Sequence, residues 1–184
     1  DEDDYFQSSL FTIARRRILW LLILVLANGL TTKVIAMNDQ ILKEIVLLAA
    51  FIPLLIGTGG NVGAQSSTVV IRGLSTQKLK SLGAMKAVIK EAITGASLGV
   101  LMMIIVFPFA WWQGEGPLIA SAVGISLISI TTLAATTGAI LPLLFDRMRL
   151  DPALMSSPFI TTVTDIAGVF IYLSTAKWLL NFSF

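Results

Sequence analysis

The run from Phe159 to Leu180 constrains this chain more than any other. It is apolar and, as a helix, long enough to cross a hydrocarbon layer of roughly 30 Å, yet it carries one carboxylate, Asp165. An aspartate at membrane depth costs about 2.5–3.5 kcal/mol on insertion scales, so its position demands a partner or water. Thr161 stands four residues earlier, with Thr162 and Thr164 between, so one helical turn stacks polar atoms beside the carboxylate. Such a face is wet or buried and does not meet lipid. Asp165 then either lines an ion or proton path or pairs with a basic residue of another span. Arg72 lies at one border of the apolar runs and Lys33 and Lys177 toward the other, so no cation falls naturally at its depth.

Composition sets the surroundings of that run. Hydrophobic residues make up 55% of 184 and charged residues 13%, where soluble domains have about 25% charged; mean hydropathy is +0.86. This is the composition of an integral membrane protein. The chain has no Cys and no His, which excludes disulfides, thiolate or imidazole metal sites, histidine proton relays and Ser-His-Asp catalysis. With no second carboxylate near Asp165, no enzyme is expected. A bound metal meets only oxygen ligands, which suit hard cations such as magnesium, calcium or manganese. The net charge of +2 sits in short loops rather than on one basic face, so no nucleic-acid partner is expected.

Five crossings are expected, at about 18–36, 44–71, 87–111, 118–145 and 158–180, giving an all-α integral membrane fold over 10–184. Residues 1–9 read as a disordered acidic leader or an expression remnant, since Tyr-Phe-Gln-Ser at 5–8 resembles the end of a protease site. Arg15, Arg16, Arg17, Arg72, Lys78, Lys80, Lys86, Lys90, Arg147 and Arg149 fall on one side of this layout, and Lys33, Lys43 and Lys177 near the other. The bias puts the N terminus in the cytoplasm and the C terminus outside a plasma or inner membrane, with Trp111, Trp112 and Trp178 as interfacial aromatics. Asn181-Phe182-Ser183 fits a glycosylation sequon by chance. An odd number of spans without an internal repeat disfavours two inverted halves in one chain and favours a symmetric oligomer.

The second span is the least lipid-like. Pro53 and then Gly57, Gly59, Gly60 and Gly63 interrupt it, and Asn61, Gln65, Ser66, Ser67 and Thr68 make its end polar. Gly59 and Gly63 form a small-xxx-small pair that lets helices approach, as do Gly95 and Gly99 in the third span. Alternatively the four glycines loosen the second helix and turn carbonyls toward a water-filled path. Asp151 before Pro152 reads as a turn or cap residue. Glu44 and Glu91 read as ordinary border charges, with Glu91 able to pair with a nearby Lys.

Three stretches, Pro-Leu-Leu-Ile-Gly-Thr-Gly-Gly-Asn-Val-Gly-Ala-Gln-Ser-Ser-Thr at 53–68, Leu-Asp-Pro-Ala-Leu at 150–154 and Thr-Asp-Ile-Ala-Gly with Ile-Tyr-Leu-Ser at 164–174, resemble the transmembrane domain of the MgtE family of magnesium channels. The resemblance covers about residues 10–180 and implies a homodimer of five-helix subunits with a pore on the two-fold axis, lined by the second and fifth helices. It implies that Asp165 is the pore aspartate, that Thr161 offers a backbone carbonyl to the ion, and that Asp151 meets a regulatory metal at the cytosolic face. The implied pore lining is Gly57, Thr58, Gly59, Gly60, Asn61, Ala64, Gln65, Ser157 and Thr164; at Ala64 and Ser157 family members can carry Asn. Family members usually also carry cytosolic regulatory domains, which are possible further partners. Mg2+ is then the transported ion and a possible regulatory ligand. The alternative is a proton- or sodium-coupled divalent cation transporter in which Asp165 changes protonation during the cycle.

Overall fold

The computed structural model describes residues 10–76 and 83–181. The expected leader at 1–9, Lys78, Lys80, Phe182 and Ser183 lie outside the described residues. All regular structure among the described residues is helical: α1 Leu10–Ala36, α2 Asp39–Glu44, α3 Val46–Ser75, α4 Ala84–Ala110, α5 Pro117–Arg147 and α6 Pro152–Leu179, with a π-helical turn at Trp111–Glu115. Four of these are long and apolar enough to cross a membrane: α3, α4 with its π-helical turn, α5, and α6 from Pro158; in α1 the described apolar stretch, Leu21–Ala36, is shorter.

The turns between helices follow local chemistry. At the end of α1 the Asn38 side chain donates to the Val34 carbonyl at 2.6 Å, closing an orphan acceptor. Lys43 pairs with Asp39 across one turn of α2, and this ion pair and hydrogen bond hold the exposed Asp39 carboxyl below its ordinary range. Ile41, fully buried, seats α2 against the bundle. Before α5, Gly116 takes φ +84°, a region open to glycine, and Pro117 then supplies the preset φ of a first helical residue.

α5 is the hub. It packs on α3, α4 and α6, while α4 touches little else and α1 leans chiefly on α6. Small buried residues make this possible: Ala120, Ala122, Gly124, Ala134, Ala135, Gly138 and Ala139 let three helices approach one backbone. A methyl at Gly95 of α4 would lie 2.6 Å from the Ala135 methyl, and Gly99 sits against Ile128 and Thr131, so the expected small-residue seam is a backbone contact with α5. Outward side chains such as Leu26, Ile93, Ile104, Ile105 and Phe170 are exposed and apolar, as lipid contact requires.

α3 corrects one expectation. Neither Pro53 nor the glycines interrupt it; the α-helix is continuous from Val46 to Ser75. Without water in a hydrocarbon layer, unwinding would leave several backbone groups unpaired at several kcal/mol each, which outweighs about 1 kcal/mol per helical glycine. The helix also begins after a separate short helix, and α6 begins at Pro152, six residues before the expected start, with Pro158 carried inside it.

Candidate functional site

The site begins with the two faces of α3. Its buried residues, Leu48, Phe51, Ile52, Leu55, Gly59, Val62, Gly63, Ser66, Ser67 and Val70, repeat at three and four residues and form one stripe toward α5 and α6. The opposite stripe, Gly57, Asn61, Ala64, Gln65 and Thr68, is exposed. Between the exposed Pro53 and Val69 that flank this stripe, no exposed side chain is apolar beyond a methyl. In a membrane span this inverts what lipid contact selects.

The glycines divide between these faces. A methyl at Gly59 would meet Ile130 at 2.7 Å and Thr164 at 3.7 Å, and Gly63 is pressed against Ile160 of α6 and against Ala134 and Gly138 of α5. These two glycines serve close packing. At Gly57 nothing lies within 4 Å, and at Gly60 only Thr161 Cγ2 comes near, at 4.0 Å. Gly57 and Gly60 therefore belong to the open side, and Gly60 marks the seam where α3 meets the polar turn of α6.

On α6 the residues Ile160, Thr164, Gly168, Val169, Tyr172, Leu173 and Ala176 are buried, while Thr161, Thr162 and Asp165 are half-buried beside them. Thr164, fully buried, donates its hydroxyl to the Ile160 and Thr161 carbonyls, each at 2.9 Å, so it faces the subunit interior. Thr161 donates to the Pro158 carbonyl at 3.0 Å. Its own carbonyl accepts from the Thr164 hydroxyl and, one turn on in the same continuous helix, is the acceptor position for the Asp165 N–H. Among the described residues no hydrogen bond or ion pair engages the Asp165 carboxylate, so the pairing that would make it merely structural is not found there. The side chain of Ser157 lies outside the described residues.

Register joins the two stripes. Gly63 meets Ile160, Gly59 meets Thr164, and near the other end of α3 the Tyr172 hydroxyl donates to the Leu48 carbonyl at 3.1 Å. This antiparallel order carries Asp165 to the level of Gly57 and half-buried Thr58. Asn61, Ala64 and Gln65 then follow along the same outer surface toward the far end of α3.

At that end lies a cleft of about 270 Å³ lined by Ile71, Leu74, Ser75, Asp146, Asp151 and Pro152. Asp151 is exposed and already has an interaction partner. Asp146, which sequence reasoning passed over, shares the cleft because the last turn of α5 ends beside the first turn of α6. The Phe-Asp-Arg border gave no signal for it without the fold. Glu91 was also misjudged: it does not simply mark a border but accepts a hydrogen bond from Ser66 at 2.6 Å, tying α4 to α3 where the two otherwise barely touch. No group of three or more acidic or histidine ligands occurs among the described residues.

Fold and surface together define a polytopic α-helical membrane protein with a continuous polar strip on its membrane-embedded outer face. The sequence model of the MgtE family, described as a divalent cation transporter, matches residues 52–175, the stretch holding both halves of that strip. The chain belongs to the MgtE family. It is 38% identical over 165 residues to the magnesium transporter MgtE of Thermus thermophilus, covering 90% of this chain and 36% of that protein. The magnesium transporter MgtE of Bacillus subtilis is 32% identical over 176 residues, covering 95% of this chain and 39% of that one. For the Enterococcus faecalis magnesium transporter MgtE the identity is 33% over 173 residues, with 92% and 37% covered. The chain thus spans a little over a third of the length of the curated relatives it matches.

Proposed function

We propose that this chain forms the ion-conducting part of a magnesium channel, a homodimer in which each subunit crosses the plasma membrane five times and α3 and α6 line a path on the two-fold axis. α1 supplies the remaining crossing. The observation that carries the proposal is the strip of exposed Gly57, Asn61, Ala64 and Gln65 and half-buried Gly60, Thr161 and Asp165 on the outside of a membrane-embedded helix bundle. A bilayer cannot solvate it, and a second copy facing it across water can. Gly59 and Thr164 hold the wall from behind.

Magnesium gives up water reluctantly and keeps octahedral geometry, so an all-protein cage would be costly. Two symmetry-related Asp165 carboxylates instead offset the charge of an ion that retains most of its shell. Its waters bridge to Thr161, Asn61 and Thr58. The relatives are named magnesium transporters, and the oxygen-only donor set suits the same ion. Asp151, in the cleft at the cytoplasmic end, is assigned to regulatory metal rather than to conduction.

The chain has no Cys, so single cysteines test the lining. At Asn61 and Gln65 a membrane-impermeant thiol reagent should react and block magnesium flux, whereas at Ile104 it should do neither. Equal reactivity at all three positions would remove the path from this face.

A further inference from the structure

A second opening lies away from the polar strip, between the first turns of α4 and the last turns of α5. Ala84, Met85, Val88, Ile140, Leu143 and Leu144 wall a groove of about 310 Å³, and Arg147 stands at its end. That volume is at the small end of ligand pockets, about 300–1,000 Å³. The α5 wall runs from Ile140 to Arg147, roughly 10 Å at the rise of an α-helix. One end is therefore cationic and the rest hydrocarbon.

We infer that this groove holds one anionic phospholipid, with part of an acyl chain between α4 and α5 and the phosphate on Arg147. The groove opens among exposed apolar side chains, Met85, Ile89, Ile140 and Leu144, where the bilayer supplies amphiphiles. Arg147 sits in the last turn of α5, where the apolar run ends, and its guanidinium fork matches phosphate oxygens in a bidentate way. Asp146, beside it in sequence, lines the separate cleft with Asp151, and among the described residues no ion pair engages Arg147. Exposed Lys86, next to Met85, adds positive charge at the same border. A basic residue in a last turn also complements the helix dipole, but that role requires no apolar groove. The inference uses only the membrane embedding of α4 and α5 and stands apart from the ion path at α3 and α6.

The test compares phosphatidylglycerol with phosphatidylcholine of equal chain length, added to the purified chain in detergent and counted by native mass spectrometry. Retention of phosphatidylglycerol should exceed that of phosphatidylcholine by about fivefold, the ratio equivalent to roughly 1 kcal/mol for one basic side chain at an anionic lipid surface. Arg147→Gln should erase the preference but keep lipid bound, and Leu143→Trp should lower retention of both. On the unaltered protein, phosphatidylglycerol with a photoreactive acyl chain should label residues 84–88 or 140–144. Labelling confined to other helices, an unchanged preference in Arg147→Gln, or full competition by inorganic phosphate would overturn the inference.

Discussion

In the proposed path the chemistry turns on Asp165, because a half-buried carboxylate on a membrane helix, with no cation beside it among the described residues, is stable only where water or an ion compensates. The glycines allow the packed and open faces to be separated one residue at a time. Gly63→Val should destabilise the fold by about 1–3 kcal/mol, since Ile160 and the α5 backbone already fill the space. Gly57→Ala should leave the unfolding midpoint unchanged or raise it, as nothing lies within 4 Å and alanine gains up to about 1 kcal/mol in a helix. It should nevertheless change magnesium flux. Thermal unfolding in detergent and flux on the same preparations separate these effects, and a Gly57→Ala protein that melts early would put that residue on the packed face. Asp151→Asn should keep conduction and alter only its response to cytoplasmic magnesium; a dead pore would contradict that division of roles.

At the scale of elements, α3 is held from two sides. Tyr172 fixes one end of α3 through the Leu48 carbonyl, and Glu91 takes a hydrogen bond from Ser66 nearer the other. Ser66→Ala leaves that carboxylate without its donor and should cost about 1–3 kcal/mol in unfolding free energy, whereas Glu91→Gln, which keeps an acceptor, should cost less. Equal losses would mean that charge rather than the hydrogen bond matters there. The apolar runs made the four long helices legible in the sequence, and the small residues at Gly95 and Gly99 foretold a tight seam. The continuity of α3 was less visible, because glycine and proline weaken a helix in water and only the cost of unpaired backbone in hydrocarbon reverses that. The link between Ser66 and Glu91 was not legible at all. It joins residues 25 positions apart on helices whose packing is arranged through α5.

At the scale of the whole molecule, the proposed function pairs the polar strip of one subunit with that of a symmetric partner. In the proposed homodimer, isologous pairing would bring each strip to its own copy across one axis, so that one Asp165 per chain becomes two around one ion. Light scattering in detergent should therefore give the mass of two chains, and a monomer that still conducts would refute the shared path. Asp165 was legible as a misplaced charge in an apolar run; that Asn61 and Gln65 share its surface while Thr164 turns inward depends on the register of α3 against α6. The most direct measurement is magnesium flux into proteoliposomes carrying this chain or its Asp165→Asn variant at matched reconstitution, with no proton or sodium gradient. The account predicts flux down the magnesium gradient in the first and its loss, by about tenfold or more if one strong charge interaction per subunit is removed, in a variant that still folds and dimerises. Equal flux from both would contradict the assignment of Asp165 to the ion path.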